Sequence, residues 1–305
     1  MFNNKMTNYT VFEDGVLIND SESPFLWNGM FSKASKNGNI INYLQTCLPK
    51  NSICVIPKSD GNIKRNKNKN EPHDIVWDDI QKYIDYSKSK NKVFLLCVLS
   101  QITEEEDINY VYLPLDDDFF EKGVEHFFNK DNMLKWENRS SQLCWVGGCS
   151  GVGGNESLRV KFVKKIYDYN PCTNVRLSTW WSENKNIDTK YFGEIVHFSE
   201  FLKYKIFFIV DENVIASNHM WGFASGCVPF LISSGKCWFS SFIIPYIHYI
   251  PVNYDLSNLI EQIEFVKNND DKAKQIAENS LEFVKTYFSS SFQKEYLKKS
   301  INKFF

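Results

Sequence analysis

One stretch of the chain, residues 203–232, constrains the fold more than any other, with the sequence KYKIFFIVDENVIASNHMWGFASGCVPFLI. Short runs of consecutive apolar residues between turn formers are typical of strands covered on both faces, and such strands belong to parallel sheets with crossover helices. We therefore predict strands at 206–210 and 228–232. Between them we predict a polar turn and a helix at about 216–225 that ends at Gly226. This unit indicates the α/β fold class.

The polar turn between the first of these strands and the helix is a candidate ligand site. At the carboxyl edge of a parallel sheet, main-chain N–H groups and the positive end of a helix dipole favour phosphate. A plain βαβ unit without a ligand is the alternative interpretation.

A glycine-rich segment, GGCSGVGGNE at residues 147–156, follows a predicted strand at 143–146 and precedes a predicted helix that contains Arg159. Glycines at such a junction allow the backbone to approach a phosphate or a sugar closely. The spacing is not G-x-G-x-x-G, so a flexible loop without a ligand is an equal alternative. Ser150 lacks the G-x-S-x-G context of a hydrolase nucleophile.

The composition excludes several classes of protein. The formal net charge of -2 over 305 residues gives no signal for nucleic-acid binding. Eight scattered cysteines without C-x-x-C spacing indicate buried, reduced thiols. No window approaches the ~18 consecutive apolar residues of a membrane span, and the start of the chain has no apolar segment of the kind found in signal peptides. We therefore expect a cytoplasmic protein without a membrane span.

The length leaves room for two domains of ordinary size. Because residues 116–140 are charged and carry no long apolar run, we place the boundary there. The prediction is an N-terminal α/β domain at 1–135, a second α/β domain at 136–288, and a C-terminal helix at 289–305 that packs back on the N-terminal domain.

An ordered series of segments resembles glycosyltransferase family 90, which contains protein O-glucosyltransferases and fungal capsule-associated xylosyltransferases. The segments are 203–205, Asp211, 216–217, 226–228, 248–252, 255–259, 266–270 and 276–279. Residues 143–148 resemble the family's strand that ends in W-R-G, and Arg159 resembles the arginine that opens its next helix. Residues 17–24, LINDSESP, resemble its N-x-R-D-x-P turn, with Glu22 at the place of the catalytic aspartate.

The resemblance implies a GT-B-like fold, with two Rossmann-like domains whose parallel sheets face a central cleft, followed by C-terminal helices. It makes 1–135 the acceptor-side domain and 136–288 the nucleotide-sugar-binding domain. It implies an inverting hexosyl- or pentosyltransferase that moves glucose or xylose from a nucleotide-diphosphate donor, such as a UDP-sugar, to a hydroxyl of a glycan or protein. Neither a metal nor another cofactor is implied. The implied catalytic residues are Glu22, which takes the proton of the acceptor hydroxyl, and Asp20. The implied donor-binding residues are Gly147, Gly148, Arg159, Lys205, Asp211, Ala216, Ser217, Asn218 and His219.

The chain departs from the family pattern at two arginines. Val146 stands where the family has one, and Asn218 or His219 replaces the arginine that contacts phosphate. Each lost charge-assisted contact is worth roughly 1.5–3 kcal/mol. Three explanations stay open: Arg159, Lys205, His219 and backbone amides compensate; the chain uses a different donor; or it is a catalytically impaired protein that binds carbohydrate or nucleotide-sugar.

A metal-dependent transferase is a further alternative. Asp116, Asp117 and Asp118 follow a predicted strand at 109–115. Magnesium is often bound by one or two carboxylates together with substrate phosphates. A solvated loop is the other interpretation of this acidic run.

Overall fold

The computed structural model describes residues 9–19, 39–57, 63–64, 75–102, 105–114, 117–123, 133–178 and 186–305. The chain divides into two compact units. The first comprises Met1–Gly123, Gly235–Ser241 and Tyr287–Phe305, and the second comprises Val124–Ser234 and Phe242–Thr286.

The strands, numbered along the chain, are β1 (Tyr9–Glu13), β2 (Val16–Asn19), β3 (Ser52–Pro57), β4 (Ile63–Lys64), β5 (Ile75–Val76), β6 (Val93–Val98), β7 (Ser100–Gln101), β8 (Tyr110–Tyr112), β9 (Cys144–Gly147), β10 (Asn174–Ser178), β11 (Phe192–Gly193), β12 (Ile206–Val210), β13 (Val228–Ile232), β14 (Lys236–Cys237) and β15 (Ile250–Pro251). The helices are α1 (Asn39–Cys47), α2 (Trp77–Ser89), α3 (Asp117–Lys122), α4 (Leu158–Tyr169), α5 (Phe198–Phe201), α6 (His219–Ala224), α7 (Leu259–Asn268), α8 (Asp270–Tyr287) and α9 (Ser290–Asn302). The predicted α/β class is confirmed.

The first unit contains a five-stranded sheet in the order β2-β1-β3-β6-β8. β3, β6 and β8 run parallel, whereas β1 pairs antiparallel with both β2 and β3. The terminal helix α9 packs in the same unit against α1, α3 and β8. Tyr43 Oη in α1 donates a hydrogen bond to the Lys294 carbonyl in α9 at 2.9 Å.

The antiparallel edge of this sheet corrects the expectation of parallel sheets alone. β1 and β2 are joined by a two-residue turn, Asp14 and Gly15, with φ of 55° and 79°. Positive φ at both positions gives a turn whose twist matches that of paired strands, so the chain returns as a hairpin. β1 has no counterpart among the predicted strands.

The second unit contains two parallel three-stranded sheets, ordered β11-β10-β9 and β12-β13-β15. A parallel bridge joins them just before β9 and β12: Ser140 N donates to Lys203 O and Lys205 N donates to Ser140 O, both at 2.8 Å. Together the strands follow the order β11-β10-β9-β12-β13-β15. Numbered along this unit, that order is 3-2-1-4-5-6, the arrangement of a doubly wound nucleotide-binding fold.

The core of the second unit includes a chain of aromatic rings. Phe162 of α4 contacts Trp145 of β9 and Phe208 of β12, with ring centroids 5.4 and 5.1 Å apart. Phe208 in turn contacts Phe230 of β13 at 5.3 Å. Such edge-to-face pairs add stabilisation beyond that of area burial. They fix β9 and β12 relative to α4, and so position the loops that follow these two strands.

The sequence predicts β12 and β13 at their observed bounds, but it overestimates β15. The segment YIHYIPV at residues 246–252 predicts a strand, whereas the observed strand is Ile250–Pro251. Tyr246 has φ of 59°, and its N–H bonds the Tyr249 carbonyl at 2.7 Å. A tight turn therefore takes the place of the first part of the predicted strand.

Two further expectations concern the chain as a whole. All eight cysteines lie in the described ranges and are free thiols. Among the helices of the described ranges, none combines the length and apolar character needed to cross a membrane.

Candidate functional site

The candidate site lies at the carboxyl ends of β9 and β12, which are neighbours in the second unit. The chain leaves β9 through α4 towards β10, and leaves β12 through α6 towards β13, in the opposite direction along the sheet. In open α/β sheets, ligands bind where the strand order reverses in this way. Two loops meet there, residues 148–157 after β9 and residues 211–218 after β12.

Arg159, in the first turn of α4, joins the two loops. Its Nε and Nη2 each donate to the Val210 carbonyl at 3.3 Å. Its Nη1 lies 3.2 Å from Glu212 Oε1 and 3.4 Å from Ser150 Oγ. The side chains of Arg159 and Glu212 are only 13% and 10% exposed, so this ion pair is shielded from water.

The Glu212 carboxylate is held from the glycine-rich side as well. Ser150 Oγ donates a hydrogen bond to the same Oε1 atom. Gly151 has φ of +120°, and a Cβ placed there would lie 3.4 Å from the Glu212 carbonyl oxygen. The 148–157 loop therefore needs glycine at this point to pack directly on residue 212.

Asp211, the first residue after β12, organises the second loop. Its Oδ1 accepts a hydrogen bond from Ala216 N at 3.2 Å. Burial raises the pKa of Asp211 to about 7, although the Ser233 hydroxyl and Arg159 favour the charged form. Because Asp211 holds residues 211–216 as a turn, α6 begins at His219 rather than at the predicted Ala216.

His219 is fully buried at the start of α6, with Nδ1 2.7 Å from the Ala216 carbonyl. Burial lowers the pKa of this imidazole to about 4, so it is neutral at pH 7. It therefore supplies no positive charge in place of the family's arginine. Asn218 donates through Nδ2 to the Phe208 carbonyl at 3.2 Å.

Lys205 lies apart from this group. It precedes β12 and so lies at the amino end of the sheet, where its Nζ pairs with Asp270 Oδ1 at 2.5 Å. The same ammonium group lies 5.0 Å from the centre of the Trp136 ring. Lys205 thus has a structural partner at the edge opposite the two loops.

Gly147 and Gly148 differ in their surroundings. A Cβ at Gly147 would come within 2.6 Å of the Trp145 ring, so this glycine is required by packing inside the strand. A Cβ at Gly148 would meet the Ser150 hydroxyl at 3.2 Å. The donor-binding candidates that belong to the two loops are therefore Gly148, Asp211, Ala216, Ser217 and Asn218, and Arg159 of α4 contacts both loops.

Several predicted residues cannot be placed. Glu22 and Asp20 lie outside the described residues, as does Asp116. Asp117 and Asp118 belong to α3, but their side chains lie outside the described part of the structure. Within the described ranges, no group of three side chains suited to a metal ion occurs.

The two residues whose side chains contact Arg159, Ser150 and Glu212, were not predicted as site residues from the sequence. Glu212 was expected only as part of a polar turn, and Ser150 only as an unsuitable nucleophile. Their positions carried a usable signal, because residues immediately after adjacent parallel strands meet at one edge of the sheet. It could not be used because the adjacency of β9 and β12 is a property of the strand order.

Two buried amide oxygens lie in or beside these loops. Asn155 Oδ1, in the first loop, and Asn218 Oδ1, at the end of the second, accept no hydrogen bond from the described residues. Buried polar atoms usually have partners, so both are candidates to bind a ligand donor.

An aromatic cavity of about 150 Å³ lies beside the same two strands. Its walls include Phe198, Phe201, Phe207 and Trp221, with Asn218 at the side of the second loop. Its volume is below the roughly 300–1,000 Å³ of typical small-molecule pockets, so by itself the cavity does not indicate a ligand site.

The chain is similar to several known proteins over part of its length. A family model described as Glycosyl transferase family 90 matches residues 119–304. Uncharacterized protein 179R of Invertebrate iridescent virus 6 is 29% identical over 196 residues, covering 53% of this chain and 16% of that protein. Protein O-glucosyltransferase 1 of Homo sapiens is 33% identical over 110 residues, covering 35% and 28%. O-glucosyltransferase LpsA of Dichelobacter nodosus is 21% identical over 192 residues, covering 62% and 55%. The matches thus span 16% to 55% of the length of these relatives.

Proposed function

The chain belongs to glycosyl transferase family 90, and on that premise we propose that it transfers a sugar from a nucleotide-diphosphate donor to a hydroxyl group. Two of the relatives are named O-glucosyltransferases, which makes glucose the first sugar to test. Xylose is the second, because the family includes xylosyltransferases. UDP is the proposed carrier, and a glycan or protein hydroxyl is the proposed acceptor.

One observation carries the proposal. At the point where the strand order reverses, the glycine-rich loop, Arg159 and the 211–218 loop come together. A guanidinium group and main-chain N–H groups at the carboxyl edge of a parallel sheet suit a diphosphate. The family membership adds the chemistry for which such a diphosphate would be used.

In the proposed reaction, the acceptor hydroxyl attacks the anomeric carbon and the nucleotide diphosphate leaves, with inversion. Arg159 and main-chain donors stabilise the charge that develops on the leaving diphosphate, with no metal ion required. Glu22 takes the proton of the hydroxyl as general base, and Asp20 supports it. The GT-B-like arrangement belongs to the same proposal.

The test is a donor screen followed by turnover. Purified protein is incubated with UDP-glucose and UDP-xylose, with and without EDTA, and the release of UDP is measured. We expect hydrolysis or transfer by the wild type that persists in EDTA and is lost in Glu22→Gln. Activity lost in EDTA would instead favour the metal-dependent route through Asp116, Asp117 and Asp118. Absence of binding by any UDP-, GDP- or TDP-sugar would contradict the proposal.

A second candidate function is binding of a nucleotide-sugar without catalysis. It is favoured by the Arg159–Glu212 ion pair and by the neutral state of His219, since both reduce the positive charge available to a leaving group. A measurable Kd for UDP-glucose with no turnover across acceptors would support it. Turnover by the wild type that Glu22→Gln abolishes would exclude it.

A further inference from the structure

The carboxylate of Glu212 lies between the two loops, where two side-chain donors bind it. It accepts a hydrogen bond from Ser150 Oγ and pairs with Arg159 Nη1 at 3.2 Å. A guanidinium and a hydroxyl are also the donors with which proteins commonly bind phosphate oxygens. The chain thus supplies its own anion to these donors.

The site between the two loops therefore carries little net charge. Arg159 contributes one positive charge and Glu212 one negative charge, and both side chains are nearly buried. Asp211 is adjacent, buried and close enough to Arg159 to interact with its charge. Opposite charges at short distance in a shielded position attract strongly, so an incoming diphosphate meets a cation that is already paired.

The fit of the backbone shows that this pairing is built into the loops. Gly151 packs against the main chain of residue 212 with a φ that other residues rarely adopt. Ser150, Gly151 and Glu212 therefore form one packed contact.

We infer that the Glu212 carboxylate competes with the donor diphosphate for Arg159 and Ser150. Glu212 thereby sets how tightly the site between the two loops binds phosphate groups. The inference rests on the proposed function for the identity of the natural ligand. For a diphosphate to reach Arg159 and Ser150, the Glu212 carboxylate has to move away from both. Removal of its charge therefore strengthens binding of polyphosphates, the opposite of the usual effect of removing a site residue.

The experiment measures the Kd of pyrophosphate and of UDP by isothermal titration calorimetry. The variants are Glu212→Gln, which keeps the shape and can still accept from Ser150, and Glu212→Ala, which removes the group. Glu264→Gln is the matched control, because Glu264 pairs with Tyr169 and Lys267 at the far end of α4. Thermal melts establish that each variant is folded.

We expect both Glu212 variants to bind pyrophosphate and UDP at least tenfold more tightly than wild type, and Glu264→Gln to match wild type. In the double variant Arg159→Gln/Glu212→Gln we expect no gain in affinity for pyrophosphate or UDP, because the guanidinium group that the loss of the Glu212 charge would free is absent. Equal or weaker binding by Glu212→Gln, or the same gain in Glu264→Gln, would overturn the inference.

The outcomes separate this inference from the proposed function. If pyrophosphate binds Glu212→Gln more tightly while no nucleotide-sugar binds or turns over in any variant, the competitor role stands and the transferase proposal fails. If UDP-glucose turns over in wild type but Glu212→Gln binds UDP with unchanged affinity, the transferase proposal stands and the competitor role fails.

Discussion

Two arginines in the second unit are buried to a similar degree, yet their partners belong to different kinds of site. Arg139 is 6% exposed, and its donors reach neutral acceptors from several segments. These acceptors are Leu134 O at 3.1 Å, Leu202 O at 2.9 Å, Ser225 O at 3.0 Å and Cys227 Sγ at 2.9 Å. Arg159 also bonds a carbonyl, that of Val210, but its Nη1 faces the Glu212 carboxylate and the Ser150 hydroxyl.

The difference shows how a structural arginine can be told from a ligand-binding one. Every contact of Arg139 is to an acceptor that no ligand would replace, and Gly226, with φ of 68°, makes room for its Nη2. The contact of Arg159 to Glu212 is to an anion, and another anion could replace it. The amino end of the sheet, where Lys205 also has its partner, is thus stabilised internally, whereas the carboxyl end holds a charge that can be exchanged.

The largest effect is expected at the structural arginine. In Arg139→Met, the carbonyls of Leu134, Leu202 and Ser225 lose a charged donor inside the protein. We expect the free energy of unfolding to fall by about 3 to 5 kcal/mol, measured by urea denaturation. The Kd of UDP for the folded protein should stay within twofold of wild type. A fall in affinity with unchanged stability would reverse the roles assigned to Arg139 and Arg159.

Asp211 and His219, at the carboxyl end of the sheet, make the stability of the protein depend on pH. Its pKa is raised to about 7 by burial, so the folded state holds the proton more tightly than the unfolded state does. Its contribution to stability is therefore largest near pH 4 and is lost as the pH rises towards 7. His219, with a pKa lowered to about 4, has the opposite dependence, because its contribution is lost as the pH falls below about 6.5.

Asp211→Asn isolates the first of these contributions. We expect the stability of wild type, relative to this variant, to decline by on the order of 3 kcal/mol between pH 4 and pH 7. Asp255→Asn is the control, because hydrogen bonds from Ser257 lower the pKa of that exposed carboxyl and its dependence has the opposite sign. Urea denaturation at several pH values measures both. A difference from Asp211→Asn that does not vary with pH would contradict the raised pKa.

A smaller effect, in affinity rather than stability, is expected at the ligand-binding arginine. Arg159→Gln removes a charged donor from the site between the two loops, which should raise the Kd of UDP about 10- to 100-fold. Arg176→Gln is the matched control, since Arg176 bonds only the carbonyls of Val175 and Pro171 among its hydrogen-bond contacts in the described ranges. Equal Kd values of UDP for Arg159→Gln and Arg176→Gln would contradict a ligand-binding role for Arg159.

The smallest effect is expected in the glycine-rich loop. Gly151→Ala introduces a side chain at φ of +120°, against the backbone of Glu212. We expect a loss of about 1 to 2 kcal/mol in the free energy of unfolding. Gly148→Ala is the control, because its nearest contact is the rotatable Ser150 hydroxyl. If the two variants are equally stable, the loop is not held against residue 212 as described.

The sequence predicted most of the second unit because local signals are strong there. Buried strands such as Ile206–Val210 are continuous apolar runs between turn formers, and Gly226 has the positive φ expected at a helix end. The family resemblance supplied Arg159 and Asp211. By contrast, the hairpin of β1 and β2 carried a local signal that the prediction did not use, the Asp14-Gly15 pair between two apolar segments. The return of Gly235–Ser241 to the first unit depends on long-range packing, which no local pattern encodes.

Only part of the candidate site was predicted, because its assembly also depends on long-range packing. The two loops were each recognised, but their contact depends on the adjacency of β9 and β12 across the Ser140–Tyr204 bridge. The role of Glu212 follows only from that adjacency. His219 was among the groups expected to compensate for the lost arginine, whereas complete burial makes its imidazole neutral.

Amide hydrogen exchange in the presence of UDP-glucose shows whether the donor binds at the two loops, because it locates the donor without relying on activity. We expect slower exchange in residues 148–157 and 211–218, with little change in the segments around Arg139 and Lys205 at the amino end of the sheet. Protection confined to the amino end, with unchanged exchange in the two loops, would contradict binding at the two loops.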